Sequence, residues 1–244
     1  MSIGWATVVP GTEMPVGQGA SGAVRCILAI EGQSHVAAIL KRDPLPLVIA
    51  EAFCALLLRG WGVPVPDPYL VREANGIAFA SADVTYPNLG QKLGVDQLRE
   101  GSPEHQAALR VAMRLAVQLD TAPLVAAADE AINNRDRNLG NILWDGSKEA
   151  WIDHALSLGN APDHEDLNKL CLMALYAGAA DEMRAAATAR SFAMNRQMPS
   201  SVREDLLSVV DTNGHVEFIA GRLSQLAMHI LARFPEPSGL FSPS

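Results

Sequence analysis

The sequence predicts an α+β chain with two lobes: a small antiparallel β-rich lobe with one helix over residues 1–84, and a larger helical lobe over residues 85–234. Two observations carry this prediction. Up to about residue 80 the apolar residues fall in short strand-like runs separated by turn signals, with a single helical run among them. After Pro87 the apolar spacing becomes that of helices. The stretch 81–88 between them reads as a hinge, and the last ten residues, 235–244, are rich in Pro and Ser and read as a poorly ordered tail.

Along the first lobe, Val16-Gly17-Gln18-Gly19-Ala20-Ser21-Gly22 is a Gly-rich loop between two strand-like runs. Glycines there let backbone amides approach an anion closely, so Gly17, Gly19, Ser21 and Gly22 are candidate phosphate-binding residues. Ala23 to Ile30 reads as a strand, Glu31 to Ser34 as a turn, and His35 to Lys41 as the next strand, which ends on a cation. Leu47, Ala50, Cys54, Leu57 and Leu58 are spaced for one face of an amphipathic helix. Within that stretch Glu51 is the one acidic residue, placed to pair with Lys41. Tyr69–Val71 and Ile77–Ala80 form a hairpin with Asn75-Gly76 in its turn. Chain leaving the lobe at Ser81 to Asp83 offers backbone groups that could read a nucleotide base.

In the second lobe, Ser102 precedes Pro103 and Glu104 as a helix N-cap. Leu109, Met113, Ala116 and Val117 follow at helical spacing, and Pro123 to Ile132 reads as another helix. Further helices are expected over about 165–178, 180–194 and 201–233, the last broken near Asn213-Gly214.

Asp136 and Asn141 stand five positions apart in Asn134-Arg135-Asp136-Arg137-Asn138-Leu139-Gly140-Asn141. Two short strands follow, joined by the turn Asp145-Gly146-Ser147-Lys148, and this hairpin returns Asp153 to the side of Asn141. Phosphoryl transfer from a magnesium nucleotide needs such parts: a carboxylate to take the acceptor's proton, and an amide and a second carboxylate for the metal. The pattern makes Asp136 the candidate base, Asn141 and Asp153 the candidate metal ligands, and Lys41 the candidate phosphate cation. Arg135 and Arg137 can reach a phosphate or pair with Asp129 and Glu130, and the sequence favours neither. Asn134 is suited to tie the loop backbone together, and His154 is suited to a hydrogen-bonded structural role.

The segment from Asp129 to Asn141 is similar to the catalytic segment of the HipA-like kinases, Asp-x-x-(apolar)-x-Asn-x-Asp-Arg-x-x-Gly-Asn. Glu51 and the run ending Gly62-Val63-Pro64-Val65-Pro66 resemble the helix and Pro-containing stretch of the compact members. The resemblance covers roughly residues 15–160 and implies a bilobal protein-kinase-like fold that binds ATP and Mg2+ between its lobes. It implies transfer to a hydroxyl, foremost Ser or Thr of a protein. Alternatives on the same scaffold are a small-molecule or lipid phosphotransferase, and a non-catalytic nucleotide-binding module. His154-Ala155 stands where eukaryotic protein kinases have Phe-Gly. The chain is short for a full-length toxin of this group, so the resemblance implies kinase activity ahead of toxin activity, with room for a regulatory or antitoxin partner. By the same resemblance, Ser21 is a candidate for inactivating autophosphorylation.

Bulk properties agree with a soluble globular protein of 244 residues, 49% of them hydrophobic. A net charge of −8 argues against a nucleic-acid backbone as direct partner. No apolar run of 18 residues points to a membrane. Cys26, Cys54 and Cys171 are widely spaced in apolar surroundings and read as buried free thiols of a cytoplasmic protein.

Overall fold

A computed structural model of the chain describes residues 3–16, 22–32, 35–160 and 166–234. Gly17, Gly19 and Ser21 lie outside the described residues, as does the expected tail 235–244.

Six strands form the first sheet: β1 (Gly4–Val8), β2 (Met14–Pro15), β3 (Val24–Ile30), β4 (His35–Lys41), β5 (Pro68–Glu73) and β6 (Gly76–Ala82). Their order is β1-β5-β6-β4-β3-β2, and β1 also pairs with β3. Five of the strands therefore close into a small barrel, and β2 extends β3 beyond the ring. The sheet is not wholly antiparallel as expected, because β1 runs parallel to β5, with Trp5 opposite Leu70. Closure is the physical reason. Once β1 bonds antiparallel to β3 on one side, the ring can be completed only if it also covers the free edge of β5.

Alternation along the strands sorts side chains between the barrel interior and the outside. Ala6, Cys26, Leu28, Ala38, Leu40, Val71, Ala78 and Ala80 form one buried cluster within the barrel. Several are small, which suits five strands closing on themselves. On β4 the intervening residues Ile39 and Lys41 point to the other face, opposite Ser81 and Phe79 of β6. Register thus sets a Lys, a Ser and two apolar side chains on one outward patch.

That patch faces α1 (Leu45–Gly60), which packs on β5 and β6. The helix differs from the amphipathic one expected. Every residue from Val48 to Leu58 is buried, Glu51 included, because the barrel covers one side and the helical part of the chain the other. Gly60 ends it where α7 (Met198–Leu206) approaches, and a Cβ there would lie 2.4 Å from Met198 Sδ.

Beyond β6 come α2 (Leu89–Lys92), α3 (Pro103–Gln118) and α4 (Ala122–Ile132), then the hairpin β7 (Ile142–Trp144) and β8 (Glu149–Trp151). Ser102 caps α3, its Oγ accepting the His105 N–H at 3.1 Å. The C-terminal helices are α5 (Lys169–Ala177), α6 (Ala180–Ala193), α7, α8 (Asn213–Ser224) and α9 (Leu226–Leu231). The expected long helix over 201–233 is thus three helices. The first ends at Leu206, ahead of the expected break, and Gln225 separates the last two. No single helix among the described residues is long and apolar enough to cross a membrane. All three cysteines are free and buried.

A buried charge cluster ties these helices to α4. Glu130, on α4, receives two hydrogen bonds from the Arg135 guanidinium at 2.9 and 3.1 Å. Arg222 of α8 donates to it at 2.8 Å, and Arg233, just beyond α9, at 3.0 and 3.1 Å. Arg135 and Arg233 also hold Asp166, each at 2.9 Å or less. Burial would raise the Glu130 pKa, but the hydrogen bonds from Arg135 and Arg233 prevail and bring it down from 4.5 to about 2.

Two stability measurements follow from this packing. Ala38→Leu overfills the barrel and should lower stability by about 1–3 kcal/mol in urea unfolding; an open sheet would accept the larger side chain at little cost. Glu130 titrates lower in the fold than in the unfolded chain, so its contribution is complete above pH 4.5 and is lost as pH falls towards 2. Glu130→Gln should therefore cost about 3 kcal/mol at neutral pH. The gap to wild type should narrow across that acidic window, and a gap independent of pH would contradict the assignment.

Candidate active site

The catalytic segment is held by α4 beneath it. Asn133 ends α4 in the left-handed conformation, with φ of 58°, and Asn134 follows. Asn134 Oδ1 accepts the Asp136 N–H at 3.0 Å, and its Nδ2 donates to Asp129 at 3.1 Å. The role expected for Asn134, tying the loop backbone together, is what these bonds perform.

Arg137 is fully buried and joins four parts of the chain. Its Nε and Nη2 grip the Asp129 carboxylate at 3.0 and 2.9 Å. Its Nη1 donates to Ile152 O at 2.6 Å, at the exit of β8, and lies 3.4 Å from Asn141 O. Nη2 also lies 3.2 Å from His154 Nδ1. Of the two readings open for these arginines, pairing is the one present: Arg135 pairs with Glu130 and Arg137 with Asp129.

Asp136 and Asn141 are joined directly, the Asn141 Nδ2 donating to Asp136 O at 2.8 Å. This commits the amide nitrogen to the backbone and leaves Oδ1 as the atom able to face a cation. The β7–β8 hairpin does return the chain as expected. Ile142 pairs with Trp151, Ile152 N–H donates to Asn141 O at 3.2 Å, and Asp153 comes next. Asp153 has φ of 67°, a conformation that few non-glycine residues adopt but Asp tolerates better than most.

Three elements meet at Asp153. The Lys41 ammonium, from β4, lies 2.8 Å from Asp153 Oδ1. Glu51, from α1, accepts the His154 N–H on Oε2 at 2.6 Å. Lys41 therefore bonds to Asp153 rather than to Glu51, but both carboxylates act on it. Burial would lower the Lys41 pKa; Glu51 and Asp153 outweigh that and hold it above its ordinary value. Burial pushes the Glu51 carboxyl up, with Lys41 opposing. His154 is held well below its ordinary pKa by burial and by the neighbouring Arg137 and Lys41 cations, so its ring is neutral. With Nδ1 facing Arg137, the proton is assigned to Nε2.

Lys41, Glu51, Asp153 and His154 line one cavity together with Ile39, Phe79, Ser81, Leu143 and Ile152. Ala82, Asp83 and Val84 complete its rim. The Asp83 side chain is turned to other work, accepting from Arg25 Nε at 2.5 Å and from the Thr85 N–H at 2.8 Å. The N–H groups of Ala82 and Asp83 go to Asp67 O and Ala37 O. Val84 is then the next main-chain donor on the rim, one residue beyond the expected segment. Of the Gly-rich loop, Val16 and Gly22 are described, Gly22 with φ of 60°. Val16 N–H donates to Ala23 O at 3.3 Å, beside the pairing of Pro15 of β2 with Val24 of β3.

One residue at the site escaped the sequence reading. Lys169, the first residue of α5, places Nζ 2.7 Å from Asp136 Oδ1. Its only sequence signal is a position just after Asn168, the α5 N-cap.

No family model matches the sequence, and no curated protein does. Solved structures do. The chain is similar to the Helicobacter pylori proinflammatory kinase CtkA, with a TM-score of 0.60 and 14% identity over 93% of each chain. It is also similar to HipA of Shewanella oneidensis MR-1, solved with HipB and operator DNA. That match has a TM-score of 0.49 and 15% identity, covering 91% of this chain and 65% of that one. The Golgi casein kinase matches with a TM-score of 0.42 and 13% identity, over 99% of this chain and 74% of that one. The relationship expected from the catalytic segment is present at the level of fold: this chain has a kinase-type fold, shared with CtkA.

Proposed function

We propose that this protein is an ATP- and magnesium-dependent kinase that transfers the γ-phosphoryl group to a hydroxyl, foremost that of Ser or Thr in a protein. One observation carries the reading. Lys41 and Asp153, 112 positions apart, meet at 2.8 Å on the wall of a cavity that also takes in Glu51 and the Ser81–Val84 rim. Asn141 and Asp136, bonded to each other, follow in the same loop–hairpin unit that carries Asp153.

Each residue then has a task. Val84 and the backbone around Ser81 and Asp83 bind the base. Lys41 binds the α- and β-phosphates, and Glu51 keeps the Asp153 segment against it through His154. The glycines of the loop, Gly17, Gly19 and Gly22 with Ser21, cover the phosphates. Asn141 Oδ1 and Asp153 are the residues to hold magnesium. Their oxygen donors suit a hard cation. Among the described residues no group of three or more His, Cys, Asp or Glu is arranged to hold a metal ion. Two protein ligands are what a cation shared with nucleotide phosphates calls for. When bound, magnesium neutralises charge on the phosphate oxygens. Asp136 orients the acceptor hydroxyl and takes its proton as the oxygen bonds to phosphorus.

The test is incubation with γ-labelled ATP, magnesium and a cell lysate, comparing label in protein with label in small molecules. Wild type should label protein. Asp136→Asn should keep nucleotide affinity and lose transfer by about 10²–10⁴-fold. Label confined to small molecules would move the acceptor to that class, and full activity in the variant would make Asp136 structural.

A further inference from the structure

Lys169 and Asp136 form an ion pair at 2.7 Å, with side chains 33% and 28% exposed. The helix start that carries Lys169 is fixed from below. Asn168 is buried, accepts the Cys171 N–H at 3.2 Å and donates to Ala126 O of α4 at 2.9 Å. Lys169 is thus aimed at Asp136 by packed structure. A pair this exposed adds little to stability.

A lysine bonded to the carboxylate that is to receive a proton occupies one of its oxygens, and that arrangement calls for a chemical reason. The reason lies in the other anion of the reaction. The transferring phosphoryl group spreads its charge over three oxygens and must come close to Asp136, a like-charge approach. An ammonium group has three donors. One serves Asp136, and the others remain for phosphoryl oxygens.

We infer that Lys169 is a further catalytic residue: its ammonium contacts the γ-phosphoryl group of the bound nucleotide while keeping Asp136 beside it. Lys41 serves the α- and β-phosphates at one end of the site, and Lys169 the γ-phosphate at the other. This rests on the kinase reading above. In the step it serves, the acceptor oxygen forms a bond to the γ-phosphorus. The bond to the β,γ-bridging oxygen breaks, its electron pair leaves with ADP, and the acceptor proton passes to Asp136. Lys169 exchanges no atom and stabilises the charge that develops.

The experiment compares Mg-ADP with a magnesium complex of a non-hydrolysable ATP analogue by titration calorimetry, in wild type, Lys169→Met and Lys169→Arg, alongside turnover. Lys169→Met should bind ADP within about two-fold of wild type and the ATP analogue about ten-fold more weakly, and turnover should fall about 10²–10³-fold. Lys169→Arg, which keeps the charge, should recover part of the analogue affinity. Thermal unfolding of each variant checks the fold, and Lys169→Gln takes the place of the Met variant if that one is unfolded. Equal losses for both nucleotides, or none for either, overturn the inference while leaving the kinase reading in place. A wild type that binds neither nucleotide overturns both.

Discussion

The buried pair between Arg137 and Asp129 is the constraint on which the site depends. A guanidinium with no exposure to water is costly unless every donor has a partner. Here the Asp129 carboxylate, Ile152 O, Asn141 O and His154 Nδ1 provide them. Each partner belongs to a different part of the site: the α4 end, the β8 exit, the candidate metal amide and the residue after the candidate metal carboxylate. The charge can be satisfied only when those parts are assembled. Removing one member of such a pair typically costs about 3–5 kcal/mol, so Arg137 specifies the geometry as much as it stabilises it.

Asp153 shows how that geometry is used. Its positive φ is strained for a residue with a Cβ, by roughly 1–3 kcal/mol where such conformations are sparsely populated. It is held from both sides. Ile152 is fixed by Arg137, His154 by Glu51, and Asp153 itself by Lys41. Two of these three anchors, Lys41 and Glu51, come from the first sixty residues. The barrel and the helical part of the chain are therefore coupled through a few charged groups at the place where nucleotide phosphates are proposed to lie. A neutral His154 suits this role, because a third cation beside Arg137 and Lys41 would repel both.

Local signals in the sequence carried the parts that depend on local physics. Asn75-Gly76 made a hairpin, Ser102 capped α3, and Asp145-Gly146 turned β7 into β8, which brought Asp153 to Asn141. The strand His35–Lys41 likewise formed and ended on its cation, which the structure sets opposite Phe79 of β6. What sequence could not reveal came from long-range pairing. Closure of the barrel rests on β1 meeting both β3 and β5, partners no turn signal joins to it. The all-round burial of α1 depends on what covers its second face. The carboxylates of Glu130 and Asp129 lie within eight positions of Arg135 and Arg137, yet pairing and phosphate binding were equally open until the burial of Asp129 and Glu130 was known. Arg222, Arg233 and Lys169 reach the catalytic segment from the C-terminal helices, where no motif marks them.

Magnesium-dependent ATP affinity tests the account most directly, because it requires Lys41, Asn141 and Asp153 to act as one site. Calorimetric titration of ATP into wild type and Asp153→Ala, each with and without magnesium, isolates that requirement. Magnesium should tighten ATP binding in wild type and have little effect in the variant. Equal affinity with and without magnesium in wild type, or an undiminished magnesium effect in Asp153→Ala, would contradict it.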